Sequence, residues 1–142
     1  MLTRRGFTGF ASCALCAVAG FIAADASAET AAPATNGFTR KLLSKMEGPT
    51  PGYVTVVMEV EIPAGVVVPR HTHPGIESGY VVEGSFELPV QGQPTRSLKP
   101  GDGFQIPVAT PHAGGKASDV NVKVVSTYVV EKDKPLASPA PE

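Results

Sequence analysis

Tryptophan is absent from the 142 residues, and both cysteines, Cys13 and Cys16, fall inside one apolar N-terminal stretch. The rest of the chain therefore has no disulfide and no thiol nucleophile, and it must hold together by its core and by any bound metal. The C-x-x-C spacing lies in an apolar targeting segment, a poor setting for redox chemistry or thiolate ligation. Histidine is almost as scarce: His71, His73 and His112 are the full set. No charge of one sign accumulates, with 12 basic against 13 acidic residues. That leaves no electrostatic footprint for nucleic acid and no basic stripe for a membrane surface. Internal repeats are lacking, and so is any long run with the 3.6-residue period of an amphipathic helix.

What is present begins with a segment that reads as removable. Arg4-Arg5-Gly6-Phe7 precedes the apolar stretch from Phe10 to Ala24, and Ala26-Ser27-Ala28 supplies a small-residue cleavage pattern. Residues 1–28 are thus expected to be a bacterial export signal, with the arginine pair similar to a twin-arginine address. The stretch is short for a membrane span, so the alternative is an uncleaved N-terminal anchor. Loss of Arg4, Arg5 and Asp25 leaves ten basic and twelve acidic residues in an exported, periplasmic or secreted chain.

After the signal, residues 29–52 read as a leader and N-terminal arm, in which Phe38 to Met46 is either a helical turn or an arm. From Tyr53 the character is β. Val54, Val56, Met58, Val60 and Ile62 alternate with Tyr53, Thr55, Glu59 and Glu61, a period of two with one apolar face. Further strands are expected over Ile76 to Val82, Ser85 to Val90 and Phe104 to Val108. Val120 to Val130 places Val120, Val122, Val124, Ser126, Tyr128 and Val130 on one face. Many short strands with Gly and Pro in the turns predict an all-β domain, a small antiparallel β-barrel or sandwich over residues 53–131. Residues 132–142, rich in Pro and Ala, are expected to be a loose tail. A core of about 100 residues is small, and homodimerisation through edge strands would cover the exposed edges.

The chemistry concentrates at His71-Thr72-His73, with Glu77 four residues on and His112 far downstream. Residues two apart on a strand point the same way, so His71 and His73 can aim both rings at one point. Pro74-Gly75 breaks the strand, which lets Glu77 swing back from the next one. Pro111 holds the chain extended before His112. Three nitrogens and one oxygen suit one divalent transition metal (Fe, Mn, Ni, Cu, Co or Zn) and are poor for Ca or Mg. Four protein ligands leave open positions in an octahedral ion, as a working site requires. The alternative is a barrel whose histidines are hydrogen-bonded core residues.

Gly65-x5-His71-x-His73-x3-Glu77-x6-Gly84 resembles the first cupin motif at every position, and Gly101-x5-Pro107-x-Ala109-x2-His112 resembles the second. Ala109 and Lys116 stand where glycine and asparagine are usual, and neither is a ligand position. The resemblance spans roughly Phe38 to Pro139 and includes the closing Tyr128-Val129-Val130-Glu131-Lys132 segment. It implies a double-stranded β-helix (jelly roll), with His71, His73, Glu77 and His112 as metal ligands.

The family holds dioxygenases, isomerases, lyases, decarboxylases and binding modules, so fold does not choose among them. With all three histidines committed, proton transfer would fall to Glu77, to a metal-bound hydroxide, or to a tyrosine such as Tyr53, Tyr80 or Tyr128. By strand phase Met58, Phe86 and Phe104 are candidates for an apolar substrate wall. Arg70 is turned away by parity and Gln105 outward. The expectation is a metal-dependent dioxygenase acting on a small, largely uncharged aromatic or enol-like substrate. The alternatives are a non-catalytic metal- or ligand-binding protein and an O₂-independent lyase or isomerase.

Overall fold

The computed structural model describes residues 37–114 and 118–141; the expected export signal, most of the expected leader and Lys116 lie outside the described residues. The fold is all-β. The strands are β1 (Thr39–Glu47), β2 (Tyr53–Ile62), β3 (His71–Thr72), β4 (Gly75–Glu83), β5 (Phe86–Leu88), β6 (Arg96–Leu98), β7 (Gly103–Ile106), β8 (Val122–Glu131) and β9 (Ser138–Pro139).

Five of these form one antiparallel sheet in the order β1-β2-β8-β4-β7. Valine-rich alternation builds its centre, because β-branched side chains pack well on a pleated surface. Along β8 every second residue is buried: Val122, Val124, Ser126, Tyr128 and Val130. The facing register sets Val54 against Val130, Val56 against Tyr128, Met58 against Ser126 and Val60 against Val124. The opposite layer consists of the hairpin β5-β6 and the antiparallel pair β3-β9, linked through single bridges from His112 to His71 and to Val90. Val81, Phe104, Ile106 and Val124 of the large sheet pack on Leu88, Val90 and Leu98 of that layer, forming the main core.

Three expectations change. Residues 39–47 are an edge strand, neither a helical turn nor a detached arm, with Arg40 and Leu42 half-buried on the inner side. Val120 lies before β8 and is half exposed, so the buried face starts at Val122. Residues 132–142 are not loose where described. Ser138–Pro139 pairs with Thr72 and His71, Leu136 packs against the cluster of Val54, Val56, Tyr128 and Val130, and the Ala140 amide donates to the Arg70 carbonyl. Composition pointed the other way, but main-chain pairing to β3 supplies the order that side chains do not.

Candidate metal centre

The short β3 carries His71, and the chain turns through Pro74 into β4, so that His73 lies between two strands. Gly75 opens β4 where a Cβ would run into the Val129 carbonyl, so only glycine lets the chain re-enter the sheet there. Glu77 then faces inward opposite Tyr128 and Ile106. His112 arrives from the other direction and is locked to His71 by a reciprocal pair of main-chain hydrogen bonds of 2.9 and 3.0 Å. The turn before it contains Ala109 at φ +52°, left-handed backbone that costs a non-glycine residue energy. The Ala109 amide donates to the His73 carbonyl at 3.0 Å, which ties this turn to the histidine pair.

The three imidazoles come together with ring centroids 4.3–5.0 Å apart. One ligand atom from each lies within 4.8 Å of the others. Glu77 Oε2 sits 3.0 Å from His73 Nε2 and 3.3 Å from His112 Nε2. All four residues named from the sequence therefore meet at one place. His73, Glu77 and His112 are buried, while His71 is half-buried at the rim.

Hydrogen bonding on the far side of each ring decides what the near side can do. Nδ1 of His71 donates to the Pro69 carbonyl (2.7 Å), Nδ1 of His73 to the Leu136 carbonyl (2.6 Å) and Nδ1 of His112 to the Thr110 carbonyl (3.0 Å). A carbonyl oxygen only accepts, so each Nδ1 carries a proton, and a ring in its neutral form has its lone pair on Nε2. These lone pairs face a carboxylate, and His73 Nε2 is buried without a hydrogen-bond partner. Electron-rich atoms this close require a cation among them, either a proton or a metal ion. Three imidazole nitrogens and one carboxylate, oriented by outer hydrogen bonds, are a fitting donor set for a divalent transition metal.

Electrostatics favour the same protonation states. Burial drives the His71 imidazole pKa down to about 4, and the neighbouring His112 and His73 add to this against the Pro69 hydrogen bond, so the ring is neutral near pH 7. Burial opposes ionisation of Glu77, but the adjacent His112 and His73 rings, which donate to it whenever Nε2 carries a proton, and the Ser126 hydroxyl outweigh it and hold the carboxyl below the usual carboxylate range. Ser126 Oγ donates to Glu77 Oε1 at 2.8 Å, which satisfies the oxygen turned away from the rings. Tyr128 is buried edge-on to His73, with ring centroids 4.9 Å apart. Burial and the Glu77 charge raise its phenol pKa above the ordinary value, so it stays protonated.

A cavity of about 60 Å³ adjoins the cluster, with His71, Glu77, His112, Phe86 and Phe104 in its walls. Phe104 lies directly over Gly79, where any Cβ would strike its ring. Met58, the third apolar residue picked by strand phase, is not among the cavity walls; it packs against the cluster containing Val56 and Tyr128. Gln105 is exposed and donates to Ser78 Oγ, and Arg70 is half-buried, its guanidinium bonded to the Pro141 carbonyl and Gln91. Of the tyrosines, Tyr80 is half exposed and only Tyr128 lies against the cluster.

Three participants escaped the sequence reading. Ser126 was visible as the one small polar residue on a valine face. Arg40, a cavity wall residue, was hidden by reading its segment as a turn or an arm. The Leu136 carbonyl has no side-chain signal at all.

The family pattern for the cupin domain matches residues 58–128. Over 54 residues the chain is 41% identical to the dimethylsulfoniopropionate lyase DddQ of Ruegeria pomeroyi, which is 38% of this chain and 27% of that protein. The crystal structure of that lyase superposes with a TM-score of 0.62 at 26% identity, covering 72% of this chain and 51% of the other. This chain thus spans about a quarter to a half of the lyase's length. KdgF from Halomonas sp. gives 28% identity and a TM-score of 0.57, with 72% and 89% of the two chains covered. A cupin-like protein from Thermotoga maritima gives 26% and 0.61, with 75% and 77% covered. Motifs, topology and this matched span agree that the chain belongs to the cupin family.

Proposed function

We propose that the protein is a metal-dependent enzyme acting on a small molecule, with one divalent transition metal held by His71, His73, Glu77 and His112. The observation that carries this reading is the set of three Nδ1–carbonyl hydrogen bonds, which turn three Nε2 lone pairs and one carboxylate toward a single point. When bound there, the ion supplies Lewis-acid polarisation of a substrate oxygen. The protein's own groups do the rest. Glu77, kept ionised and braced by Ser126, is the nearest proton acceptor and serves as the acid–base group. Tyr128 stays protonated, so it donates and orients and does not act as the base. Phe86 and Phe104 supply apolar wall to the chamber.

Among reaction classes, the similarity to a dimethylsulfoniopropionate lyase supports an O₂-independent lyase or isomerase. The dioxygenase expected from sequence is the second reading, supported by the small apolar chamber, which suits O₂. Elemental analysis of protein purified without added metal comes first. Near-stoichiometric Fe, Mn, Ni, Cu, Co or Zn is expected, and persistent absence after reconstitution would sink the proposal. Turnover with and without O₂ then separates the two classes.

Two further readings belong with this proposal. The Arg4-Arg5 pair and the Ala26-Ser27-Ala28 pattern support export, which cell fractionation tests. The outer edge of β1, with Leu43 and Met46 exposed, supports a homodimer, which light scattering tests.

A further inference from the structure

Arg40 is the unexplained charge in this molecule. It sits on the inner side of β1 opposite Val60, and its guanidinium carbon stacks 4.8 Å from the centroid of Phe38. Its Nε is buried and has no hydrogen-bond partner, and no carboxylate pairs with it among the described residues. The neighbouring acids do not serve: Glu59 and Glu61 flank Val60 and by alternation face the other side of β2, where Glu61 pairs with Lys123. Arg40 is half-buried, and a buried guanidinium nitrogen left without a hydrogen-bond partner is costly.

The surroundings identify the missing partner. Arg40 walls the small chamber together with His71, Glu77 and His112. It also walls an outer cavity of about 200 Å³ shared with Phe38, Val68 and His71, which places it beside the rim of the metal cluster. A divalent ion on one carboxylate leaves one positive charge, and Arg40 adds a second. No described buried side chain other than Glu77 supplies an anion. Arg70, the other guanidinium on the outer cavity, is already bonded to the Pro141 carbonyl and Gln91.

We propose that Arg40 is a substrate-binding residue that selects a small monocarboxylate, gripping its carboxylate while the rest of the molecule faces the histidine–glutamate cluster. A planar carboxylate matches the guanidinium fork with two parallel hydrogen bonds. This names the substrate class of the site proposed above and rests on that reading. It replaces the largely uncharged substrate expected from sequence, an expectation that arose because Arg40 is remote from the motif in the chain.

The test titrates propionate and acrylate, with propionamide and acrylamide as uncharged counterparts, into the metal-reconstituted full chain by calorimetry. Carboxylates are expected to bind at least about tenfold more tightly than the amides. R40Q should lose that preference with its metal content unchanged, R40K should recover part of it, and R70Q should keep it. Wild-type carboxylate affinity in R40Q, equal binding of the amides, or no carboxylate binding to folded, metal-loaded wild type would each overturn the assignment. If circular dichroism shows R40Q unfolded, R40K decides: several-fold weaker carboxylate binding is expected, and undiminished affinity refutes the role. Elemental analysis run in parallel keeps the two ideas apart. A wild type that takes up no metal defeats the metal-enzyme reading, whereas metal-loaded protein indifferent to R40Q defeats only the role of Arg40.

Discussion

The Leu136 carbonyl accepts the Nδ1 proton of His73 at 2.6 Å, reaching back across 63 positions of sequence. A main-chain atom of the C-terminal segment thus sets the tautomer of the most buried histidine of the cluster. Removing residues 134–142 should therefore weaken metal binding about 10- to 100-fold, the usual cost of losing a partner behind a ligand. Chelator competition measures this, and circular dichroism should report the large sheet intact. Unchanged affinity in the truncated protein would show that the clamp is dispensable.

Replacing a ligand outright should act more severely. His73→Ala and Glu77→Ala are each expected to abolish metal retention on gel filtration, with the β spectrum preserved. Wholesale unfolding would instead make the ion a structural element.

Ser126 is buried and donates to Glu77 Oε1. Ser126→Ala leaves a charged oxygen unsatisfied, at a cost of about 1.5–3 kcal/mol to stability. Urea denaturation of the metal-free protein measures it. A change within error would mean that another donor takes over.

Acid should destabilise the metal-free protein. The folded His71 pKa is about 4 against an ordinary 6.5, so between these values the unfolded chain binds a proton that the folded chain does not. Stability is therefore full above pH 6.5 and falls as pH drops toward 4. Glu77, with its pKa also depressed, extends the loss below its ordinary 4.5 in the same direction. Thermal melts of chelator-treated protein from pH 7.5 to 4 should show a falling midpoint. A flat profile would contradict the burial of His71.

The turn before His112 offers the opposite kind of change. Ala109 holds φ +52°, so Ala109→Gly relieves left-handed strain of about 1–2 kcal/mol, less a smaller entropic cost in the unfolded chain. A gain of about 1 kcal/mol is expected by chemical denaturation, with metal affinity retained. A loss of stability would show that the alanine methyl group packs usefully.

The ligands and much of the large sheet were legible because both are written in side chains. Period-two valines announced β2 and β8, and spacing brought His71, His73, Glu77 and His112 together. What sequence concealed was carried by the main chain or by distance. The tail looked loose because Pro and Ala lack side-chain bonds, yet its carbonyls and amides pair with β3 and Arg70. Arg40 went unremarked because its segment read as a helical turn or an arm, and only the three-dimensional register turns it inward against Val60. Met58 had the right phase but the wrong height along β2, where Tyr128 and its neighbours occupy the space. Alternation gives the side of a sheet and leaves open the position along it.

The late position of Leu136 also bears on when the centre can mature. Chains emerge from the ribosome N-terminus first, so all four candidate ligands are synthesised before the carbonyl that fixes His73. A nascent chain that has just completed His112 carries every donor atom but leaves the His73 ring free to turn. On the proposed metal reading, high-affinity capture belongs after residue 136 has docked, and a stalled or prematurely ended chain would bind such an ion weakly.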